Sequence, residues 1–445
     1  MRNSIEALAN GFRPCLICRP DRLPDFGMGY SDPEIAHAVR LIAEGFLDDA
    51  RTEELASRVG YSSRHLVRLF EKHIGASPDF VARARRAHLA RRLLDESDLP
   101  ITKVAFAAGF SSLRQMNRVM RELFAFSPSE LRSKRRKYDA FDPLDGGLKL
   151  RVPFEGELDV QGTIRYLESR AIPTVETVER ETYKRTMNTC GHPGVVEICS
   201  SNAKKNKVSA SDQLEVSLHL ATFGSIIEQL ERVRALFGIN LEHTAAITHL
   251  SQDRLLGRLV RTQPGVRMPG AWDRFETSIR IIVGQQISLA GASTLTGRLA
   301  QRFGTACDVG LPDSLSQIFP GAKALAAADG RDWGMPQSRV NTIRRFSAAV
   351  ASGELDLGAV DSLDETVKRL EALPGIGPWT SQFIAGRVMG HQDAFPAGDL
   401  GLRKSAARLV GKLKPLTTKE LTELAESWRP FRRVASSFLW MAQIK

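Results

Sequence analysis

The residues best suited to do chemistry lie in Leu373–Lys404, LPGIGPWTSQFIAGRVMGHQDAFPAGDLGLRK. Gly375 and Gly377 in L-P-G-I-G-P allow a tight turn between helices and expose successive backbone N–H groups. Such a nest at a helix N-terminus binds a phosphate oxygen. Asp399 follows Trp379 by 20 residues, in a short loop after the next helix. A lone carboxylate can stabilise oxocarbenium character at a sugar carbon and orient a water. Trp379, Phe383 one turn further on, and Trp440 offer electron-rich faces to an electron-poor ring. Each cation–π contact would contribute about 0.5–2 kcal/mol. Plainer roles exist for all of them. Tryptophans in helical domains usually sit in the core, and a loop aspartate before a helix is usually its cap.

The surrounding pattern must place these groups. From Phe223 onward the chain reads as almost wholly helical, broken by short Pro/Gly turns. The piece 268–292 reads as a buried helix ending at Gly-Gln-Gln, and 335–346 continues after a short loop. Upstream, 148–222 reads as a small α+β segment. LKLRVPFEG is a strand, IRYLESRAI a helix, and TVETVERETYKRTM, VVEICSS and QLEVSLHL are further strands.

Further upstream the chain repeats itself. AxxxGYSSRHLVRLFEKHIGASP begins at Ala56, and AxxxGFSSLRQMNRVMRELFAFSP begins at Ala105. The offset is 49 residues and slips to 50 by the end of the repeat. Each copy has a helix, a turn on Gly60 or Gly109, an aromatic anchor (Tyr61, Phe110) and a serine pair that caps the next helix. This is helix-turn-helix chemistry, in which the second helix enters the major groove. Arg64 and His65, and Arg114 and Gln115, open the two recognition helices. Arginine and glutamine can make bidentate contacts to base edges. Two units in one chain imply two successive groove contacts without dimerisation, spaced by a helix over 79–94.

Composition bounds the reading. A chain of 445 residues predicts about three domains. A net charge of +11 makes nucleic acid the first candidate partner. The basic clusters RARRAHLARR (83–92) and LRSKRRK (131–137) are either part of that footprint or solvated helix faces. No apolar run is long enough to span a bilayer, and no signal h-region opens the chain. A cytoplasmic, nucleoid-associated monomer with no membrane partner is expected. The five cysteines are too scattered for a disulfide scaffold. Only Cys15 and Cys18, in GFRPCLICRPD, have metal-ligand spacing. They supply two of the four ligands of a structural zinc site.

Four resemblances sharpen this. GFRPCLICRPD resembles the end of the Ada-type metal-binding domain. In that family two earlier cysteines complete the zinc site and one accepts a methyl group. Here both would precede Met1, so methyl acceptance is not expected. Either an upstream start or decay of the domain accounts for the incomplete site. The repeated segment resembles the DNA-binding domain of AraC-type activators, with Ala125-Phe126 departing from the usual glycine and small residue. SRAIPTVETV resembles the N-terminal domain of the 3-methyladenine DNA glycosylase II family, which implies that Tyr166 closes one side of a base pocket. The hairpin with Asp399 resembles the helix-hairpin-helix Gly/Pro/Asp superfamily of DNA glycosylases. That resemblance implies Asp399 as the catalytic carboxylate and Trp379, Phe383 and Trp440 as pocket walls. It implies Gln286, in GQQIS, as the wedge that fills the gap left by a flipped base. Trp379 stands where lyase-type relatives carry a nucleophilic lysine, so hydrolysis without Schiff-base chemistry is expected.

The expected fold is multidomain and mainly α: two helix-turn-helix units, a small α+β domain and an all-α helix-hairpin-helix glycosylase domain. The expected boundaries are 1–30 (remnant zinc segment), 31–137 (double helix-turn-helix), 138–147 (linker), 148–222 (α+β) and 223–445 (glycosylase). The expected function is excision of alkylated purines, chiefly 3-methyladenine, from double-stranded DNA, fused to a regulator that binds promoter DNA. No cofactor is required, although the hairpin main chain can hold a monovalent cation. Two alternatives stay open: a transcription factor whose glycosylase-like half is inactive, and a glycosylase whose helix-turn-helix half only adds DNA affinity.

Overall fold

The structure, a computed structural model, describes residues 4–12, 33–135, 147–154, 156–189, 191–200, 213–220, 226–239, 243–309, 314–359 and 361–441. The Cys15/Cys18 pair and most of the 138–147 linker lie outside the described residues. The chain forms two compact units. One comprises Met1–Phe154 with Asn188–Glu231, and the other Glu155–Met187 with Arg232–Lys445.

The first unit contains the helix-turn-helix repeat: α1 (Thr52–Arg58), α2 (Ser63–His73), α3 (Pro78–Glu96), α4 (Ile101–Ala107) and α5 (Leu113–Phe124). The two turns match atom for atom. Gly60 and Gly109 both adopt left-handed backbone, at φ 76° and 83°. The Tyr61 amide donates to the Ala56 carbonyl at 2.8 Å, and the Phe110 amide to the Ala105 carbonyl at 3.0 Å. The slip from 49 to 50 falls within the serine pair. The first serine, Ser62, caps α2 by accepting from the His65 amide, whereas the second, Ser112, caps α5 by accepting from the Gln115 amide. Leu66 and Phe70 in α2, and Met116 and Met120 in α5, occupy equivalent core positions with no exposed surface.

The 83–92 cluster corrects the sequence reading. It is mainly neither a solvated face nor a DNA footprint. Arg85, Arg86 and Arg91 are buried. Arg85 and Arg86 grip Asp48, and Arg91 pairs with Asp95 at 3.2 Å. The reason is the position of α3, which is enclosed by the helices around it and buries nearly its whole length. Burial pulls the Arg85 guanidinium below its ordinary pKa in spite of Asp48.

The same unit holds β1 (Leu148–Pro153) paired antiparallel with a strand at Gln213–Leu220, which pairs in turn with one at His192–Ser200. The β1 register sets Leu150 opposite Val216 and Leu148 opposite Leu218, so alternate residues line one buried face. The Glu96 carboxylate at the end of α3 accepts the Arg151 amide at 2.9 Å and ties the repeat to this sheet.

The second unit begins with α6 (Val160–Glu168) and a hairpin of Glu176–Glu179 with the strand Thr182–Thr189, which belongs to this unit as far as Met187. Helices then follow: α7 (Arg274–Val283), α8 (Leu289–Phe303), α9 (Gln337–Ser352), α10 (Leu363–Glu371), α11 (Pro378–Arg387), α12 (Leu400–Leu409) and α13 (Arg432–Met441). Two cores stabilise them. Ile279, Ile282, Ile343, Phe346, Leu370 and Ile384 belong to one. Leu402, Ala406, Leu421, Trp428, Phe438 and Leu439 belong to the other. Trp379 and Phe383 pack against the first core and Trp440 against the second. The candidate site therefore draws its walls from both.

Candidate active site and nucleic-acid contacts

Asp399 does two jobs at once. It is the N-cap of α12, with Oδ1 accepting from the Leu402 amide at 2.9 Å. Two indoles also hold the carboxylate: Trp440 Nε1 donates to Oδ1 at 3.0 Å and Trp379 Nε1 to Oδ2 at 3.1 Å. Capping the helix thus does not prevent the carboxylate from also being held by two indoles. Three N–H donors fix the carboxylate in one orientation.

The aromatic residues form one wall. Phe383 stacks on Trp440 with centroids 5.2 Å apart and planes at 26°. Phe383 meets Trp379 edge-on at 5.3 Å. Because Trp379 and Phe383 are i and i+4 on α11, the next rung of the same face is Arg387. The Arg387 guanidinium lies 5.4 Å from the Tyr166 ring centroid, and Arg170 lies 3.7 Å from it. Tyr166 is only 2% exposed. Burial by itself would raise the pKa of its phenol, but the guanidiniums of Arg170, Arg387 and Arg280 outweigh it and hold the phenol below its ordinary value.

Sequence reasoning missed these arginines. Arg387 was within reach, since it follows Phe383 at helical spacing. Arg170 and Arg280 were not, because only the fold aligns them. Arg280 Nη2 donates to the Arg170 carbonyl, while Arg280 Nη1 donates to Glu176 at 2.9 and 3.1 Å. Glu176 also accepts from Tyr183, Arg185 and the Ile172 amide. Burial opposes the Glu176 carboxylate, yet Arg280 and Arg185 keep its pKa below the ordinary value.

The hairpin between α10 and α11 divides the labour of its glycines. Gly375 needs left-handed backbone, φ 93°, and a Cβ there would collide with Thr342. Gly377 is extended, with φ −104° and ψ −179°, so it has no conformational need for glycine. A Cβ on Gly377 would meet nothing, and the first turn of α11 has no side-chain cap, which leaves the N-terminus of α11 open to a phosphate.

Gln286 is exposed at the tip of the loop between α7 and α8, at φ 59°. Its neighbour Gln285, also missed, pins that loop to the hairpin. Gln285 Nε2 donates to the Gly375 carbonyl at 3.0 Å and to Thr380 Oγ1 at 2.9 Å. Arg339 Nη2 donates to the Gln285 carbonyl.

In the first unit, Arg64 and Arg114 are exposed on the first turns of α2 and α5. His65 is held between Tyr61, at 4.8 Å between ring centroids, and Arg68, at 3.0 Å from Nδ1. Gln115 Oε1 accepts from the Ser111 amide and hydroxyl, both at 3.0 Å, which directs its NH₂ outward as a donor. Among the described residues, no group of three or more His, Cys, Asp or Glu side chains could hold a metal ion.

Comparison with known proteins places the two units in known families. Three family models match: a helix-turn-helix domain over residues 55–134, the AlkA N-terminal domain over 149–273, and the HhH-GPD superfamily base excision DNA repair protein over 279–430. A probable bifunctional transcriptional activator/DNA repair enzyme AlkA from Mycobacterium tuberculosis is 34% identical over 442 residues, covering 98% of this chain and 85% of the relative. DNA-3-methyladenine glycosylase 2 of Escherichia coli is 30% identical over 281 residues, covering 62% of this chain and 92% of that one. Among solved structures, a 3-methyladenine DNA glycosylase from Archaeoglobus fulgidus shares the fold, with a TM-score of 0.56 at 20% identity over 66% of this chain and 98% of its own. With a helix-turn-helix repeat in one unit, an indole-held carboxylate beside a helical hairpin in the other, and a 34% identical relative that matches 98% of this chain, this chain belongs to the family of bifunctional transcriptional activator/DNA repair enzymes AlkA.

Proposed function

We propose that the second unit is a monofunctional DNA glycosylase that hydrolyses the N-glycosidic bond of alkylated purines, chiefly 3-methyladenine, and leaves an abasic site. The observation that carries this reading is the Asp399 carboxylate held by Trp379 and Trp440 beside the Phe383 ring. A purine alkylated at N3 or N7 is already positively charged, so its bond to the sugar is weakened and its departure needs little protonation. The base must first be extruded from the duplex. The hairpin clamps the backbone and Gln286 fills the gap in the stack. As the bond breaks, the sugar gains oxocarbenium character, and Asp399, oriented by its donors, stabilises it and directs the water. The position that would need a lysine for lyase chemistry holds Trp379.

Release of 3-methyladenine from methylated duplex DNA tests the reading. Asp399→Asn keeps the side-chain shape and removes the charge, and should lower single-turnover excision by about 10²-fold or more. Excision at the wild-type rate by this variant would refute the mechanism. An absence of excision by the wild type would support a transcription factor with an inactive glycosylase-like half.

A further inference from the structure

We propose that Arg387 and Arg433 form a buried site for a small inorganic anion, of the size and charge of chloride, between the end of α11 and the start of α13. Arg433 is 4% exposed and Arg387 9%. A Cβ placed on Gly386 would lie 3.9 Å from Arg433 Cδ, so the Arg433 side chain passes α11 one residue before Arg387. The Arg433 amide donates to the Gln392 carbonyl at 3.0 Å, which fixes the start of α13 against the loop after α11. Neither guanidinium has a counter-charge. Among the described residues, Arg433 Nε and Nη1 and Arg387 Nε are buried and donate no hydrogen bond, and neither residue forms an ion pair. Arg432, the adjacent residue, differs: its Nε and Nη2 donate to the Asp393 carboxylate at 2.7 and 2.9 Å. Glu176, the acid that acts on Arg387, is already committed to Arg280, Arg185, Tyr183 and the Ile172 amide.

Two like charges buried side by side oppose folding and oppose each other. Losing a proton is no escape for a guanidinium. Burial, and then the charge of Arg387, pull Arg433 down to about 10, which leaves it charged at neutral pH. Water would satisfy the N–H groups and leave the charge uncompensated. An anion does both, through charge-assisted hydrogen bonds. The start of α13 favours it further, because that end of the helix is positive and its first turn holds no acidic residue. Donors enclosed to this degree suit a free ion that sheds its water, whereas a DNA phosphate stays on the surface of its strand. Arg387 lies one rung beyond Phe383 on the same face of α11, so the bound ion reduces the positive charge behind the aromatic wall. A cationic base approaching that wall then meets less repulsion. This last consequence rests on the glycosylase reading, and the site itself does not.

The test is thermal unfolding of the full chain at fixed pH and ionic strength, with sodium gluconate exchanged stepwise for sodium chloride. Gluconate is too large for an enclosed site. The wild-type Tm should rise with chloride and then saturate, because an ion that binds only the folded state stabilises it by mass action. Arg433→Met keeps the length of the side chain and removes its charge. It should match or exceed the wild-type Tm in gluconate, since it deletes an uncompensated buried charge, and it should lose the saturable rise. No rise in the wild type, or an equal rise in the variant, would overturn the proposal. So would a variant less stable than the wild type in gluconate, which would show that Arg433 already has a partner within the fold. Crystals of the wild type soaked in bromide give a reading that needs no variant. An anomalous peak within hydrogen-bond distance of Arg433 Nη1 is expected, and a water there instead would refute the site. None of these readouts uses excision, so failure of the anion site and failure of the Asp399 reading are seen separately.

Discussion

At the scale of single residues, the site depends on how its one carboxylate is held. Trp440 contributes both a ring face, stacked on Phe383, and an N–H donor to Asp399. Trp440→Phe separates the two, since it keeps an aromatic face and removes the donor. A hydrogen bond to a charged group contributes about 1.5–3 kcal/mol, so kcat on a cationic lesion should fall by roughly 10–100-fold. KM should change little if the face alone binds the base. A fall in affinity with kcat unchanged would show that the indole acts only as a surface for stacking. Tyr166 and Arg387 show the same dependence of role on neighbour. A buried phenol is ordinarily a weak acid, and here three guanidiniums reverse the direction of the shift.

At the scale of elements, the two helix-turn-helix copies solve one problem with different residues. The first recognition helix is followed by Gly75 in left-handed backbone, φ 81°. The second ends on Ala125 at φ 64°, a conformation that is strained for any residue with a Cβ. Ala125→Gly should therefore stabilise the repeat by about 0.5–1 kcal/mol, less the entropy that glycine gains in the unfolded chain. Thermal unfolding of the full chain would show it as a rise in Tm. No rise would mean that the turn is held by contacts that already offset the strain. The hairpin between α10 and α11 uses the same conformational freedom at Gly375 alone, and Gln285 carries that rigidity across to the loop bearing Gln286.

At the scale of the whole molecule, not every basic residue is available to DNA. Arg85, Arg91, Arg185, Arg387, Arg432 and Arg433 are buried, and Arg85, Arg91, Arg185 and Arg432 are neutralised by acidic partners. DNA must be read by the exposed remainder, and the two units can be tested separately within the intact chain. The double substitution Arg64→Ala with Arg114→Ala should weaken binding to promoter DNA by about 1–3 kcal/mol per lost base contact. Excision in the second unit should be unchanged. Binding must be compared at fixed salt, because each lost phosphate contact reduces the log–log salt slope by roughly 0.9. If sequence-specific binding survives and only the salt slope drops, the repeat adds affinity rather than regulation. Among the described residues, no helix is long and apolar enough to cross a membrane.

Much of this molecule was legible in the chain itself. The duplicated turn on Gly60 and Gly109, the cap positions, the hairpin glycines and the candidate Asp399 all depend on local geometry, which residue type dictates within a few positions. The aromatic candidates Trp379 and Phe383 were legible for the same reason, being one turn apart on a single helix. Other features had no local signature. The arginines of 83–92 looked like surface charge because only packing around α3 shows that Asp48 and Asp95 receive them. Gln285 looked like its neighbour Gln286, and only the approach of the hairpin tells the pin from the tip. The setting of Tyr166 depends on three arginines spread across 170–387, and no spacing along the chain brings them together. The sequence by itself determined which groups could do chemistry, because that is a property of residue type and short-range conformation. Tertiary structure alone decided which charges face one another, because electrostatic effect depends on distance through the fold rather than along the chain.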